Sequence, residues 1–188
     1  MQSVAPNKHW TDQELMVLPR DGRKHELLGG ELVVSPTGFQ HGYISVRLAA
    51  TLSQFVVRRR LGLVVDSSTG FRMKSGDCLS PDVSFVGKER VRSQGGITPE
   101  FFPGAPDLAV EVISPRENRR RLKEKLTVYF ANGTRLAWVV NPRDRTVSVY
   151  TSPEQVEVLG ATDQLPGGSL LPGFASPIKD LFEMPDFS

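Results

Sequence analysis

One glutamate constrains this chain more than any other residue. Residues 108–113 read LAVEVI, a nearly continuous apolar run rich in β-branched side chains. Such a run is the pattern of a strand buried on both faces. Glu111 stands in its middle, and an ionised carboxylate is rarely buried unless it is paired, hydrogen-bonded or bound to metal. Side chains alternate along a strand, so Glu111 shares a face with Ala109 and Ile113. The fold must therefore enclose a central strand and bring a polar partner to that face.

The flanking segments supply the rest of a layered α/β arrangement. Thr11-Asp12-Gln13-Glu14 has a capping-box pattern, predicting a short helix from near Asp12 that ends by Pro19. Residues 26–28 and 31–34 flank Gly29-Gly30 as a β-hairpin. Ile44, Leu48, Leu52, Phe55 and Val56 recur at helical spacing within residues 41–59. Residues 63–65 and 70–73 read as a strand pair, residues 82–86 as a further strand, and the Gly- and Pro-bearing stretch 90–105 as an exposed loop. After the glutamate strand, Ser114-Pro115-Arg116-Glu117 reads as a helix start, with Leu122, Leu126, Tyr129 and Phe130 as the apolar stripe and Asn132-Gly133 as the stop. Strands follow at 136–140 and 146–150, then peripheral strands and a tail.

Composition narrows the functional classes. The 188 residues are 39% hydrophobic and 23% charged, which suits one domain over 1–188 with its core at about 40–150. No apolar run approaches the ~20 residues of a membrane helix, and the N-terminus has no signal-peptide pattern, so a cytoplasmic, membrane-free protein is expected. Cys78 is the sole cysteine and His9, His25 and His41 the only histidines, which disfavours a structural zinc site. Nucleophile-elbow, Walker and dinucleotide-binding motifs are missing. The net charge is only +2, but residues 116–125 hold six basic side chains against two glutamates, and Arg58-Arg59-Arg60 form a second cluster. Both clusters are read equally well as solvated helix faces or as anion contacts.

Asp82 heads the strand before the glutamate strand. If the two strands are neighbours, Asp82 and Glu111 converge, and oxygen ligands of this kind suit Mg²⁺. Lys125 lies on the flank of the apolar stripe of its helix and can reach inward. Taken singly, Asp82 also reads as a strand-entry residue, Glu111 as a structurally paired acid, and Lys125 as a surface lysine.

HELLGGELVVSP, His41, SPDVSFV, APDLAVEVISP, Lys125-x-x-x-Tyr129 and the NGT…WVVNP segment together resemble the Uma-two family of restriction-endonuclease-like proteins, from about Leu15 to Tyr150. The resemblance implies a restriction-endonuclease-like core, a mixed β-sheet flanked by helices, with an N-terminal hairpin and additional C-terminal strands. It implies a PD-(D/E)XK nuclease that hydrolyses DNA with Mg²⁺ or Mn²⁺. Asp82 and Glu111 match the metal ligands, with the carbonyl of Val112 as a further one, and Lys125 matches the catalytic lysine. The broader superfamily carries that lysine two residues after the acid, where this chain has Ile113, so an inactive binding module is the alternative. Glu26 and His41 match accessory positions, although they also read as an exposed hairpin charge and a helix-start residue. Arg119, Arg120 and Arg121 are expected to contact DNA, and a homodimer is expected because two strands must be cut. The second Pro-Asp, Pro106-Asp107, is expected to be a strand-entrance decoy.

Overall fold

The computed structural model describes residues 8–19, 24–35, 38–114 and 118–187. Helix α1 (Asp12–Met16) starts under a full capping box, with Glu14 N–H donating to Thr11 Oγ1 and Thr11 N–H to Glu14 Oε2. Strands β1 (Lys24–Leu28) and β2 (Glu31–Ser35) form the expected hairpin. Gly29 and Gly30 both take positive φ, at 60° and 76°, which the tight two-residue turn requires. Helix α2 (Phe39–Arg59) buries Ile44, Leu48, Leu52 and Val56.

The chain continues through β3 (Gly62–Asp66), β4 (Phe71–Arg72), β5 (Cys78–Leu79) and β6 (Val83–Gly87), then α3 (Lys88–Ser93), β7 (Phe102–Pro103) and β8 (Leu108–Val112). Helix α4 (Arg119–Ala131) connects β8 to β9 (Leu136–Asn141); β10 (Thr146–Tyr150), β11 (Val156–Leu159), β12 (Gln164–Pro166), β13 (Ala175–Pro177) and α5 (Ile178–Phe182) complete the order. The larger sheet runs β11-β10-β9-β8-β6-β3 and is mixed, because β8 and β9 are parallel and the other pairs antiparallel. A parallel pair needs a long crossover, and α4 provides it. The smaller sheet runs β2-β1-β5-β4-β7, and β12 pairs with β13 separately.

Alternation along β8 divides the interior in two. Leu108, Val110 and Val112 join the α2 side of the large sheet with Val83 and Phe85. Ala109 faces the other way, into a cluster with Leu126 and Tyr129 of α4 and Leu28, Phe71 and Leu79 of the small sheet. Glu111 has the parity of Ala109, so it points between α4 and the small sheet.

Several sequence expectations are corrected here. Residues 63–65 and 70–73 do not pair with each other: β3 pairs with β6 and β4 with β5. A turn closed by Thr69 N–H to the Asp66 carbonyl, with Ser68 N–H on Asp66 Oδ1, sends the chain from one sheet to the other. The 90–105 stretch is not wholly loop, since α3 overlaps its start and β7 lies within it. The helix after Glu111 is capped by Asn118, whose side chain accepts from the Arg120 and Arg121 amides; part of the expected box at Ser114 falls on 115–117, outside the described residues. The C-terminal region is more than a tail. Leu165, Leu171, Phe174, Ile178 and Leu181 enter the α2-side core, and Phe174 stacks on Trp138 at 5.6 Å. Burying each of these side chains contributes ~1.5–3 kcal/mol. Among the described residues, no helix is long and apolar enough to cross a membrane.

Candidate active site

Six of the site residues expected from the sequence, Asp82, Glu111, Lys125, Glu26, His41 and the backbone of Val112, meet in one cluster, joined by Lys24 and Tyr129, which were not expected there. Asp82 precedes β6, and its N–H donates to the Val110 carbonyl of β8 at 2.8 Å. Val83 pairs with Val110 and Ser84 with Ala109, so extending the register by one residue sets Asp82 opposite Glu111. The two strands are neighbours, which meets the condition under which the sequence brings Asp82 and Glu111 together.

Asp82 is held from three directions. Val112 N–H donates to Oδ2 at 2.7 Å, His41 Nε2 lies 3.0 Å from the same oxygen, and Lys24 Nζ donates to Oδ1 at 2.9 Å. Burial alone would raise the carboxyl, but the His41 bond, the Lys24 ammonium and the Val112 amide outweigh it and hold its pKa well below the usual range. His41 reaches in because it sits three residues before Ile44, on the core-facing side of α2.

Glu111 accepts from Tyr129 Oη at 2.6 Å, and Lys125 Nζ lies 3.3 and 3.4 Å from its two oxygens. Lys125 also donates to Glu26 Oε2 at 2.8 Å, while Glu26 Oε1 accepts the Ser80 amide at 2.9 Å. Glu26 is only 1% exposed, so the exposed-hairpin alternative does not hold. Burial pushes the Glu111 carboxyl up, reinforced by Asp82 and Glu26, against the opposing pull of Lys125 and Lys24. Burial would lower Lys125 and Lys24, but the surrounding carboxylates, Glu111 foremost, more than reverse this and keep both charged. Burial, then the charge of Glu111, raises the Tyr129 phenol well above its ordinary value, so it serves as a donor.

Lys24 and Tyr129 were missed as site residues, although both carried a signal. Tyr129 follows Lys125 by four residues and shares its helix face. Lys24 precedes Glu26 by two on β1 and shares its strand face. Ile113 carries its N–H to the Val140 carbonyl and packs against the apolar cluster, so the ammonium beside Glu111 comes from α4. Val112 shows its amide at the site. Arg119, Arg120 and Arg121 stand outside the cluster, on the exposed first turn of α4. Arg120 pairs with Glu124 at 2.9 Å and Arg121 with Glu31 at 3.5 Å. No three His, Cys, Asp or Glu side chains among the described residues are grouped as a ready metal cage; lysine ammonium groups are interleaved with the acids.

A mixed sheet flanked by helices, with an acid at a strand entrance opposite a buried glutamate, defines an α/β fold of the restriction-endonuclease-like class. The chain matches the family Uma2, described as "Putative restriction endonuclease", over residues 12–179, and belongs to that family. A crystal structure from Anabaena variabilis ATCC 29413, described as "a putative nuclease belonging to DUF820", shares the fold at a TM-score of 0.82. The likeness covers 92% of this chain and 97% of that one, at 23% sequence identity. No curated protein matches the chain. Family membership makes this a nuclease-like protein.

Proposed function

We propose that this chain is a single-domain, divalent-cation-dependent endonuclease that hydrolyses DNA phosphodiester bonds. The observation that carries the reading is the convergence of Asp82, Glu111, Glu26 and Lys125 in one buried cluster on a restriction-endonuclease-like fold. The donor set suits Mg²⁺ or Mn²⁺: three carboxylates against the two ammonium groups of Lys24 and Lys125 leave one net negative charge on hard oxygen ligands. Mg²⁺ commonly takes one or two protein carboxylates and keeps its waters, so a full cage of acids is not required. Asp82 and Glu111 would hold the ion. Val112 is a further ligand in this reading, because a strand residue's carbonyl projects to the same side as its N–H, which already reaches Asp82. The bound ion supplies an acidified water and charge neutralisation at the phosphate.

The chain's own residues divide the remaining work. Lys125, fixed by Glu26 and Glu111, places a permanent positive charge beside the attacking water and the developing phosphorane. Tyr129 fixes the Glu111 carboxylate, and His41 together with the Val112 amide fixes Asp82. Arg119, Arg120 and Arg121 contact backbone phosphates, and a homodimer brings two such sites to the two strands. Incubating supercoiled plasmid with the purified chain tests the reading. Nicking or linearisation should need Mg²⁺ or Mn²⁺, stop with chelator, and weaken steeply with salt.

A second reading rests on Ile113, the apolar residue in the superfamily's lysine slot: a nuclease fold that holds nucleic acid without cutting it. Salt-sensitive DNA binding with no cleavage under either cation would favour it.

A further inference from the structure

We infer that Lys24 is the resident counter-ion of the proposed cation site. Its ammonium holds Asp82 Oδ1 in the place a divalent cation would take, so the Lys24–Asp82 ion pair and the bound cation exclude one another. This rests on the reading of Asp82 and Glu111 as cation ligands.

The two oxygens of Asp82 are held differently. Oδ2 is fixed by the Val112 backbone amide and by His41 on a long helix, at 2.7 and 3.0 Å. The amide cannot leave without moving the strand, and the imidazole has only two side-chain torsions with which to move. Oδ1 is met by the Lys24 ammonium at 2.9 Å. That ammonium ends a four-carbon stem whose rotamers can carry it away. Lys125 differs again, since it is shared between Glu26 and Glu111 and its departure would strand two buried acids at once. Oδ1 of Asp82 is therefore the oxygen of that carboxylate that a cation can most readily claim.

Charge balance points the same way. With both lysines present the cluster carries one net negative charge, and a divalent ion added beside them would make it one net positive. Withdrawing Lys24 returns it to neutrality. In a site this buried, where Asp82 and Lys24 side chains are 3% and 11% exposed, the difference is large because water screens little of it. Lys24 thus stabilises the cation-free fold by offsetting the charge of Glu111, Glu26 and Asp82, the last in direct contact, and it opposes cation entry by the same charge.

The test is a Mn²⁺ titration of the full chain by calorimetry, wild type against Lys24→Met, with thermal unfolding recorded with and without Mn²⁺. Lys24→Met should bind Mn²⁺ tighter by on the order of 10-fold or more, because a competing charge is gone. It should melt lower than wild type without Mn²⁺ and gain more from its addition. Equal or weaker Mn²⁺ affinity in a folded Lys24→Met would overturn the role given to Lys24 and leave the cation site standing. Absence of Mn²⁺ binding in both proteins would overturn the cation site itself, and this inference with it. If Lys24→Met does not fold even with Mn²⁺, Lys24→Gln carries the test, since it keeps a donor on Oδ1 without the charge. It too should bind Mn²⁺ more tightly, and an unchanged affinity would overturn the proposal.

Discussion

The two Pro-Asp corners of this protein are built alike and surrounded differently. Asp82 enters β6 and Asp107 enters β8, neighbouring antiparallel strands inside the large sheet. Each donates its N–H to the other strand, Asp82 to the Val110 carbonyl and Asp107 to the Phe85 carbonyl. Each accepts with Oδ2 the amide two residues further along that strand, from Val112 and from Gly87 respectively. The corners are thus related by the local two-fold of an antiparallel pair, and both aspartates are buried. Their remaining company separates them. Asp107 faces Arg90 at 3.4 Å, a side chain 32% exposed and also tied to the Ala105 carbonyl. Asp82 faces Lys24 and His41, and across the strand lie Glu111, Glu26 and Lys125. Proline followed by aspartate is therefore a strand-entry device, and a second buried carboxylate turns one copy of it into a candidate catalytic site.

The largest expected effect breaks this comparison at the Asp82 corner. Asp82→Asn keeps an acceptor for the Val112 amide while removing the charge that would hold a cation. Plasmid cleavage should fall by on the order of 100-fold or more, with Mn²⁺ affinity falling in parallel in a calorimetric titration. Cleavage at the wild-type rate would remove Asp82 from the mechanism.

Next in size is Lys125→Met. The sequence alone suggests that removing this lysine would spare the fold, but in the structure Lys125 is the shared cation of two buried acids. Breaking such a pairing costs about 3–5 kcal/mol, because uncompensated charge is left in the interior. Chemical denaturation should show that loss together with loss of cleavage. The loss should shrink as pH is lowered, since Glu111, already pushed up by burial, can then take a proton. A folded, equally stable Lys125→Met would mean that Glu26 and Glu111 find other partners.

The acids that face each other should also respond to pH with opposite signs. Asp82 has a folded-state pKa below its ordinary 3.8, so its ionisation stabilises the fold above that value, and the contribution is lost as pH falls through the lowered pKa. Glu111 has a folded-state pKa above its ordinary 4.5, so stability falls as pH rises from 4.5 through the raised pKa, where the fold must accept its charge. Without a divalent ion, the melting temperature should carry this downward component above pH 4.5, and Glu111→Gln should remove it. Mn²⁺ affinity should rise over the same interval, because the ion needs the carboxylate. An identical pH profile in wild type and Glu111→Gln would rule out a raised Glu111.

Much of this was legible in the sequence wherever a residue contradicted its own surroundings. Glu111 in LAVEVI had to find a polar partner, and Lys125 sat where a helix following that strand could deliver one. His41 lies on the apolar register of α2, which carries it to the site. Lys24 was harder, because the expected hairpin strand began at residue 26 and left Lys24 outside it, whereas β1 starts at Lys24 and carries it to Asp82. The misassigned segments share a cause. In α3, the sequence KERVRS has no apolar stripe. The C-terminal core residues Leu165, Leu171 and Phe174 lie in a Gly- and Pro-rich stretch without helical or strand period, and Phe174 gains its ring partners from Phe55 of α2 and Trp138 of β9, which no local pattern reports.

The smallest expected effect tests the other corner. In Asp107→Asn the amide oxygen still accepts the Gly87 N–H, so the link between the ends of β6 and β8 persists. What disappears is a charge facing Arg90 at 3.4 Å, and Arg90 keeps its 2.7 Å bond to the Ala105 carbonyl. Because that guanidinium is partly in water, the pair is screened, and its loss should cost no more than ~1 kcal/mol. Cleavage rate and Mn²⁺ affinity should match wild type, since no second carboxylate stands opposite Asp107. Equal loss of cleavage in Asp107→Asn and Asp82→Asn would make the two corners equivalent. The role assigned to the company of Asp82 would then have to be given up in favour of a general requirement for the β6–β8 pairing.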